Sequence, residues 1–294
     1  MQRNKKNQYE CRSKASLCLY GIYTTMPRDT KQPQPLDYGG VLLIISFLLF
    51  FITPLIYGRS FQWPWWIFAL IGVSLLFLWL FIQWEIRREK HQKPALIPIQ
   101  LLHNKSFSYN LPIILFYNFT AGLFICYPYY LQAYLHWEVM AAGLAILPYG
   151  LGFFVGPLLF TKGNKSSSFW IPIALGLLII SFIALGVTFY LIAHPFWLTH
   201  GLFLLAGLGH GLIMPVMMRE SIRPITLEQA GQASGLVSTL IQVGSVLGGA
   251  IVGTLFFSFG NSYGFPLALA AALATIGSVQ IIGLAFYYTN IKSQ

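Results

Sequence analysis

Residues Gly231 to Thr254 read GQASGLVSTLIQVGSVLGGAIVGT. The stretch carries no charged side chain and is long enough to cross a bilayer as a single helix. At helical spacing Gly231, Gly235, Ser238, Gln242, Ser245, Gly249 and Gly253 share one face. That face is small everywhere except at Gln242, while Leu236, Leu240, Val243, Leu247 and Ile251 cover much of the rest. Inside lipid, water release does not draw helices together, so close backbone approach and hydrogen bonds must do so. Two GxxxG spacings, Gly244/Gly248 and Gly249/Gly253, supply that approach again. The stretch therefore predicts a closely packed membrane helix. A helix that slides beside a cavity, with Gln242 facing it, fits the same spacing.

The rest of the chain has the same character. Of 294 residues 56% are hydrophobic and 9% charged, against about 25% charged in soluble domains. The fold class expected is an all-α polytopic membrane protein whose surroundings are the lipid bilayer. The net charge of +10 does not indicate a nucleic-acid partner, because the basic residues gather in the short gaps between apolar runs, where they report topology and anionic lipid. Cys11, Cys18 and Cys126 have no metal-ligand or CxxC spacing. No P-loop is present, and no Ser/His/Asp or His/Glu constellation lies on an apolar segment. Neither an enzyme, a metal site nor a cofactor is expected.

Taken in order, residues 1–35 form a basic tail with one weak apolar run, too short to span. Eight long apolar segments follow, at roughly 38–57, 65–84, 107–133, 139–160, 169–191, 196–218, 231–258 and 264–289. With the tail in the cytoplasm, alternation puts 17 of the 18 Lys and Arg on the cytoplasmic side and leaves Arg59 outside. This asymmetry predicts eight spans with both termini cytoplasmic, in the inner membrane of the cell. Trp63, Trp65, Trp66, Trp137 and Trp197 fall at outer boundaries, and Trp84 and Trp170 at inner ones. The expected division is 36–84 as two helices, 85–106 as a cytoplasmic loop, 107–289 as six helices and 290–294 as a short tail. Within the loop, Pro94 to Leu102 (PALIPIQLL) is expected to lie along the inner membrane surface.

An ionisable group inside a span is a functional hypothesis, since placing it there costs free energy. None of the eight carboxylates lies mid-span. His210, in GLGHGL, is the one titratable candidate, able to exchange protons near neutral pH; a neutral imidazole bonded to a neighbouring helix is the plain alternative. Tyr117 and Asn118 fall mid-span, Gln132 towards an outer end, and Tyr149 follows Pro148. Aromatic rings with a few amides suit a site for greasy, often cationic molecules, and equally suit packing. The candidate substrate contacts are Tyr117, Asn118, Gln132, Tyr149 and Gln242. The candidate packing positions are Gly231, Gly235, Gly244, Gly248, Gly249, Gly253, Pro148 and Pro215.

Five segments carry a family likeness: LDYGG (Leu36–Gly40), YLQAYLHW (Tyr130–Trp137), AGLAILPYGLG (Ala142–Gly152), GLGHGLIMP (Gly207–Pro215) and AGQASGLVSTLIQVGSVLGGAIVGT (Ala230–Thr254). On these the chain resembles the C-terminal part of fourteen-helix drug:proton antiporters of the major facilitator superfamily, the EmrB/QacA-type multidrug exporters. The resemblance runs from about residue 28 to the end. It implies that 38–57 and 65–84 are a linker pair and that 107–289 is a C-terminal six-helix bundle of two inverted triplets, 107–191 and 196–289. It implies export of small amphipathic or cationic compounds in exchange for protons, by alternating access. The N-terminal six helices of that plan, with their acidic residues, are not in this sequence, and Thr161–Lys165 (TKGNK) lacks the acid and arginine of the family's loop motif. The expectation is thus a truncated chain, inactive alone, completed by an N-terminal half or working with a periplasmic adaptor. A remnant or interaction protein that moves no substrate is the second expectation.

Overall fold

The computed structural model describes residues 37–58, 61–91, 93, 96–97, 99–162, 166–191, 196–226 and 229–291. The expected tails, Cys11, Cys18 and most of the TKGNK segment lie outside the described residues. Among the described residues every regular element is helical: α1 Tyr38–Tyr57, α2 Trp65–Lys90, α3 Ile99–His103, α4 Lys105–Tyr117, α5 Leu123–Tyr129, α6 Val139–Ala145, α7 Leu147–Lys162, α8 Ser167–Leu191, α9 Phe196–Ile222, α10 Ala230–Tyr263 and α11 Phe265–Ile291. Joined across short irregular turns, they make eight helices long and apolar enough to cross a membrane. Several run past their apolar core: α2 continues from Trp84 to Lys90 because Glu85 to Lys90 is a good helix-forming run with Arg87, Arg88 and Lys90 against its C-terminal dipole.

Local chemistry sets the ends and the breaks. Asp37 caps α1, its Oδ1 accepting the Gly40 N–H at 3.0 Å. Asn104 caps α4 by accepting from the Phe107 N–H at 3.3 Å. The third span tightens into a 3-10 turn at Asn118–Gly122 and ends in a π turn at Tyr130–Tyr134. The fourth breaks at Ile146, between α6 and α7. Pro148 has no N–H to offer the carbonyl four residues back and disfavours helical backbone at the residue before it. The Ile146 carbonyl instead accepts from Tyr149 N at 3.1 Å and Gly150 N at 3.4 Å, restarting the helix.

The helices pack as neighbours α1 with α2, α7 with α9, α8 with α9 and α11, and α10 with α11 and the 3-10 turn. Half of the most apolar stretch of α8, α9 and α11 is buried but only 28% of that of the fourth span, α6 with α7, and of α10, so α7 and α10 present a long uncovered face. The closest approach is between α7 and α9. A Cβ on Gly156 would stand 2.6 Å from Leu212 N, and Cβ atoms on Gly152, Gly207 and Gly211 would overlap the backbone carbonyls of Leu204, Tyr149 and Phe153. Gly152/Gly156 and Gly207/Gly211 are thus two GxxxG pairs meeting backbone to backbone.

The 231–254 stripe behaves differently from the single packed face its spacing suggests. Gly231 and Gly235 face open space, and Ser238 and Gln242 are exposed. The glycines of α10 that meet backbone are Gly244, against the Leu115 carbonyl, and Gly248, whose Cβ would stand 2.6 Å from Phe119 O. Gly249 touches only the tip of Ile125, and Gly253 lies 3.9 Å from the same side chain. Adjacent residues point about 100° apart on a helix, so the third span meets Gly248 with its backbone and Gly249 with only the Ile125 side chain. Gly211→Val and Gly248→Val should each destabilise the protein in detergent by about 1–3 kcal/mol through overpacking. Gly176→Ala, where nothing lies within 4 Å, should be neutral or stabilising by up to about 1 kcal/mol. Thermal unfolding of the three variants checks the contrast.

Candidate functional site

The α7–α9 contact decides where the polar groups meet. Tyr149 sits in the first turn of α7, just after the break, and its backbone lies on Gly207. This sets its hydroxyl against His210, one turn further along α9, and the hydroxyl and Nδ1 share a hydrogen bond. Three rings surround the imidazole edge to face: Phe153 at 5.4 Å, Tyr117 at 5.6 Å and Tyr149 at 6.1 Å between centroids. The imidazole thus stands in an aromatic box with one polar partner among the described residues.

Beside it lies a cleft of about 500 Å³, lined by Asn118, Phe124, Ile146, Tyr149, Phe153 and His210 among others. Its wall is apolar and aromatic, with only a few polar groups, the character of a site that selects by size and greasiness. Asn118 reaches it from the 3-10 turn, where its Nδ2 donates to the Ile114 carbonyl at 2.7 Å. The turn is held from behind by Gln280 of α11, fully buried, whose Nε2 donates to the Phe116 carbonyl at 3.1 Å. Thr120 Oγ1 donates to the Tyr117 carbonyl at 2.9 Å. Side chains so replace the regular helical bonds where the third span changes pitch.

Of the residues singled out from sequence, Tyr117, Asn118, Tyr149 and His210 come together here. Gln132 and Gln242 are exposed and do not line the cleft. Pro148 sits at the α6–α7 break, and Pro215 lies one turn beyond Gly211 in α9. Tyr127, Tyr129 and Tyr130 pack elsewhere: Tyr127 on Phe203 at 4.7 Å, Tyr129 on Phe257 at 4.7 Å, Tyr130 on Phe189 at 5.8 Å. Sequence reasoning passed over Phe153 and Gln280, and over the Gly152/Gly156 and Gly207/Gly211 spacings. The last signal was in plain view at four-residue intervals. Gln280 gave none, since a lone amide in an apolar run does not name its partner.

Residues 38–249 match the profile of the Major Facilitator Superfamily. The chain belongs to the major facilitator superfamily. As a member of this transport family it is a multi-pass membrane protein. Its relatives include a probable actinorhodin transporter of Streptomyces coelicolor, 28% identical over 81% of this chain and 42% of the relative. The puromycin resistance protein of Streptomyces alboniger is 27% identical over 94% of this chain and 54% of its own length. The tetracenomycin C resistance and export protein of Streptomyces glaucescens is 25% identical over 83% and 45% respectively. The superfamily chain thus spans about half the length of the curated relatives it matches.

Tyr149→Phe removes the one hydrogen-bonding partner that His210 Nδ1 has among the described residues and should cost about 1–3 kcal/mol, the usual penalty for stranding a polar group away from water. Removing both partners in Tyr149→Phe/His210→Leu should cost clearly less than the two single changes added together. Unfolding of the single and double variants in detergent closes this cycle; additive losses would show that the pair is not coupled.

Proposed function

We propose that these eight spans are the C-terminal portion of a proton-coupled multidrug exporter, and that the Tyr149–His210 cleft is part of its translocation path. The observation that carries this reading is the pairing of an apolar, aromatic cleft with one hydrogen-bonded imidazole inside the bundle. Aromatic faces attract amphipathic cations without demanding a fixed hydrogen-bond pattern. The antibiotic compounds named for the relatives support export of small amphipathic molecules.

His210 is the proposed proton carrier, and its bond to Tyr149 suits the role. A neutral imidazole accepts the tyrosine proton at Nδ1; an imidazolium donates its own Nδ1–H to the same oxygen. The contact persists while its direction reverses, so protonation can alter the cleft without opening it. Alternating access needs a second bundle against which this one rocks, from the same polypeptide or another. The uncovered face of α7 and α10, with Gln242 on it, is where that bundle would sit. Tyr117 and Asn118 are the proposed substrate contacts on the third span. Charge asymmetry supports both termini in the cytoplasm, in the inner membrane.

Expressed alone in a drug-sensitive host, these 294 residues should leave dye efflux at the empty-vector level. Joined to or co-expressed with a six-helix N-terminal bundle of a relative, they should give efflux that an uncoupler abolishes. His210→Ala should then reduce efflux at least about tenfold, as loss of an essential proton-transfer group does. Uncoupler-sensitive efflux by the chain alone, or full efflux by His210→Ala, would refute the reading.

Orientation is tested separately. In a background lacking the three native cysteines, Glu138→Cys and Ser166→Cys, both at exposed positions, should label oppositely with an impermeant thiol reagent. Glu138→Cys should react from outside and Ser166→Cys only after permeabilisation. Equal labelling from outside would overturn the topology.

A further inference from the structure

A second cavity of about 540 Å³ lies away from the cleft, at the end of α2 that carries Arg87, Arg88 and Lys90. Its walls are apolar side chains of α2, α3, α4 and α10, among them Phe81, Leu102, Leu111 and Leu240. One carboxylate lines it: Glu85, only 3% exposed. Glu85 Oε2 accepts the N–H of Ile97, another wall residue, at 2.9 Å, and the Leu96 backbone also bonds the carboxyl, while Oε1 is buried and has no hydrogen-bond partner among the described residues.

Glu85 is less well partnered than its neighbour Asp37. Asp37 already has partners: Arg88 Nε at 3.1 Å from Oδ2, Trp84 Nε1 at 3.2 Å from both oxygens, and the Gly40 N–H. Asp37 and Glu85 are close neighbours, since a Cβ on Gly40 would stand 2.6 Å from Asp37 Oδ2 and 2.9 Å from Glu85 Oε1. Among the described residues one guanidinium, that of Arg88, stands beside this pair and is bonded to Asp37, which leaves Glu85 Oε1 without a hydrogen bond beside a greasy cavity. A buried carboxylate oxygen without a partner calls for a hydrogen-bond donor, and a cation that donates one satisfies it best.

We propose that this cavity binds a membrane phospholipid with a primary-amine headgroup, its ammonium on Glu85 and part of an acyl chain along Phe81, Leu111 and Leu240. The surroundings favour a lipid over a simple amphipathic amine. The exposed cations Arg87, Lys90, Lys93 and Lys105 lie in sequence on either side of the wall residues Glu85, Ile97 and Ser108. Lys105 is one turn before Ser108 on α4, on the same helix face. A phosphate beside the ammonium complements these cations; an amine without one would meet their repulsion. The site joins the α1–α2 pair to the six following spans, so its lipid would stand between them.

The test uses the purified 294-residue chain in detergent, titrated with phosphatidylethanolamine, phosphatidylcholine or dodecylammonium, with bound molecules counted by native mass spectrometry. Phosphatidylethanolamine should bind at least about tenfold more tightly than phosphatidylcholine, whose methylated nitrogen has no N–H to donate. Glu85→Gln keeps an oxygen for the Ile97 N–H but removes the charge, and should weaken phosphatidylethanolamine about tenfold or more. Leu240→Trp fills the cavity without touching a charge and should weaken it as well. Equal binding of the two phospholipids, or binding unmoved by both variants, would overturn the proposal. So would Glu85-dependent binding of dodecylammonium without phosphatidylethanolamine.

Discussion

Gly152 and Gly156 of α7 lie against Gly207 and Gly211 of α9 so closely that no side chain fits between the two backbones, and the candidate site depends on this contact. In lipid such contact is among the few forces that can hold helices together, because apolar side chains gain little by leaving acyl chains for one another. Its consequence is positional. A wider spacing of α7 from α9 would draw Tyr149 out of reach of His210 and open the ring of Tyr117, Tyr149 and Phe153 around the imidazole. Packing and polar chemistry here are one arrangement: the glycines set the distance, and the hydroxyl and imidazole use it.

The cleft also needs helices that are not straight. Pro148 breaks the fourth span and brings Tyr149 into a first turn, where its backbone bonds run to Ile146 instead of further back. The third span changes pitch at Asn118–Gly122, and Gln280, Asn118 and Thr120 bond carbonyl groups there. Irregular backbone is tolerated at membrane depth only where protein groups satisfy it. Those same residues bring Asn118 to the cleft and Tyr117 against the imidazole.

Membership of the major facilitator superfamily, with relatives named for puromycin resistance and for tetracenomycin C resistance and export, fits this picture. The uncovered faces of α7 and α10 contrast with the half-buried α8, α9 and α11. The Asp37–Trp84–Arg88–Glu85 group marks the other polar concentration in the described residues, where α1 and α2 come together. It is built from residues up to 51 positions apart, each unremarkable as an end-of-helix charge when read along the chain.

The sequence by itself determined the helical class, the eight spans and their approximate limits, because length and apolarity against a bilayer leave few alternatives. It also marked His210, Tyr117, Asn118 and Tyr149 as unusual, since polar groups within apolar runs are costly wherever they sit. Only the tertiary structure decided which glycines pack. Spacing gave α10 a seven-residue small face, yet Gly231 and Gly235 stand open while Gly244 and Gly248 meet the third span. Periodicity records which residues share a face and says nothing of what that face touches. Gln132 and Gln242 were read as substrate contacts by the same logic and are exposed away from the Tyr149–His210 cleft; Gln280, silent in sequence, supports that cleft from behind. Contacts between residues 60 or 160 positions apart depend on how whole helices are placed, and that placement is set by the sum of many weak packing terms, which no single stretch contains.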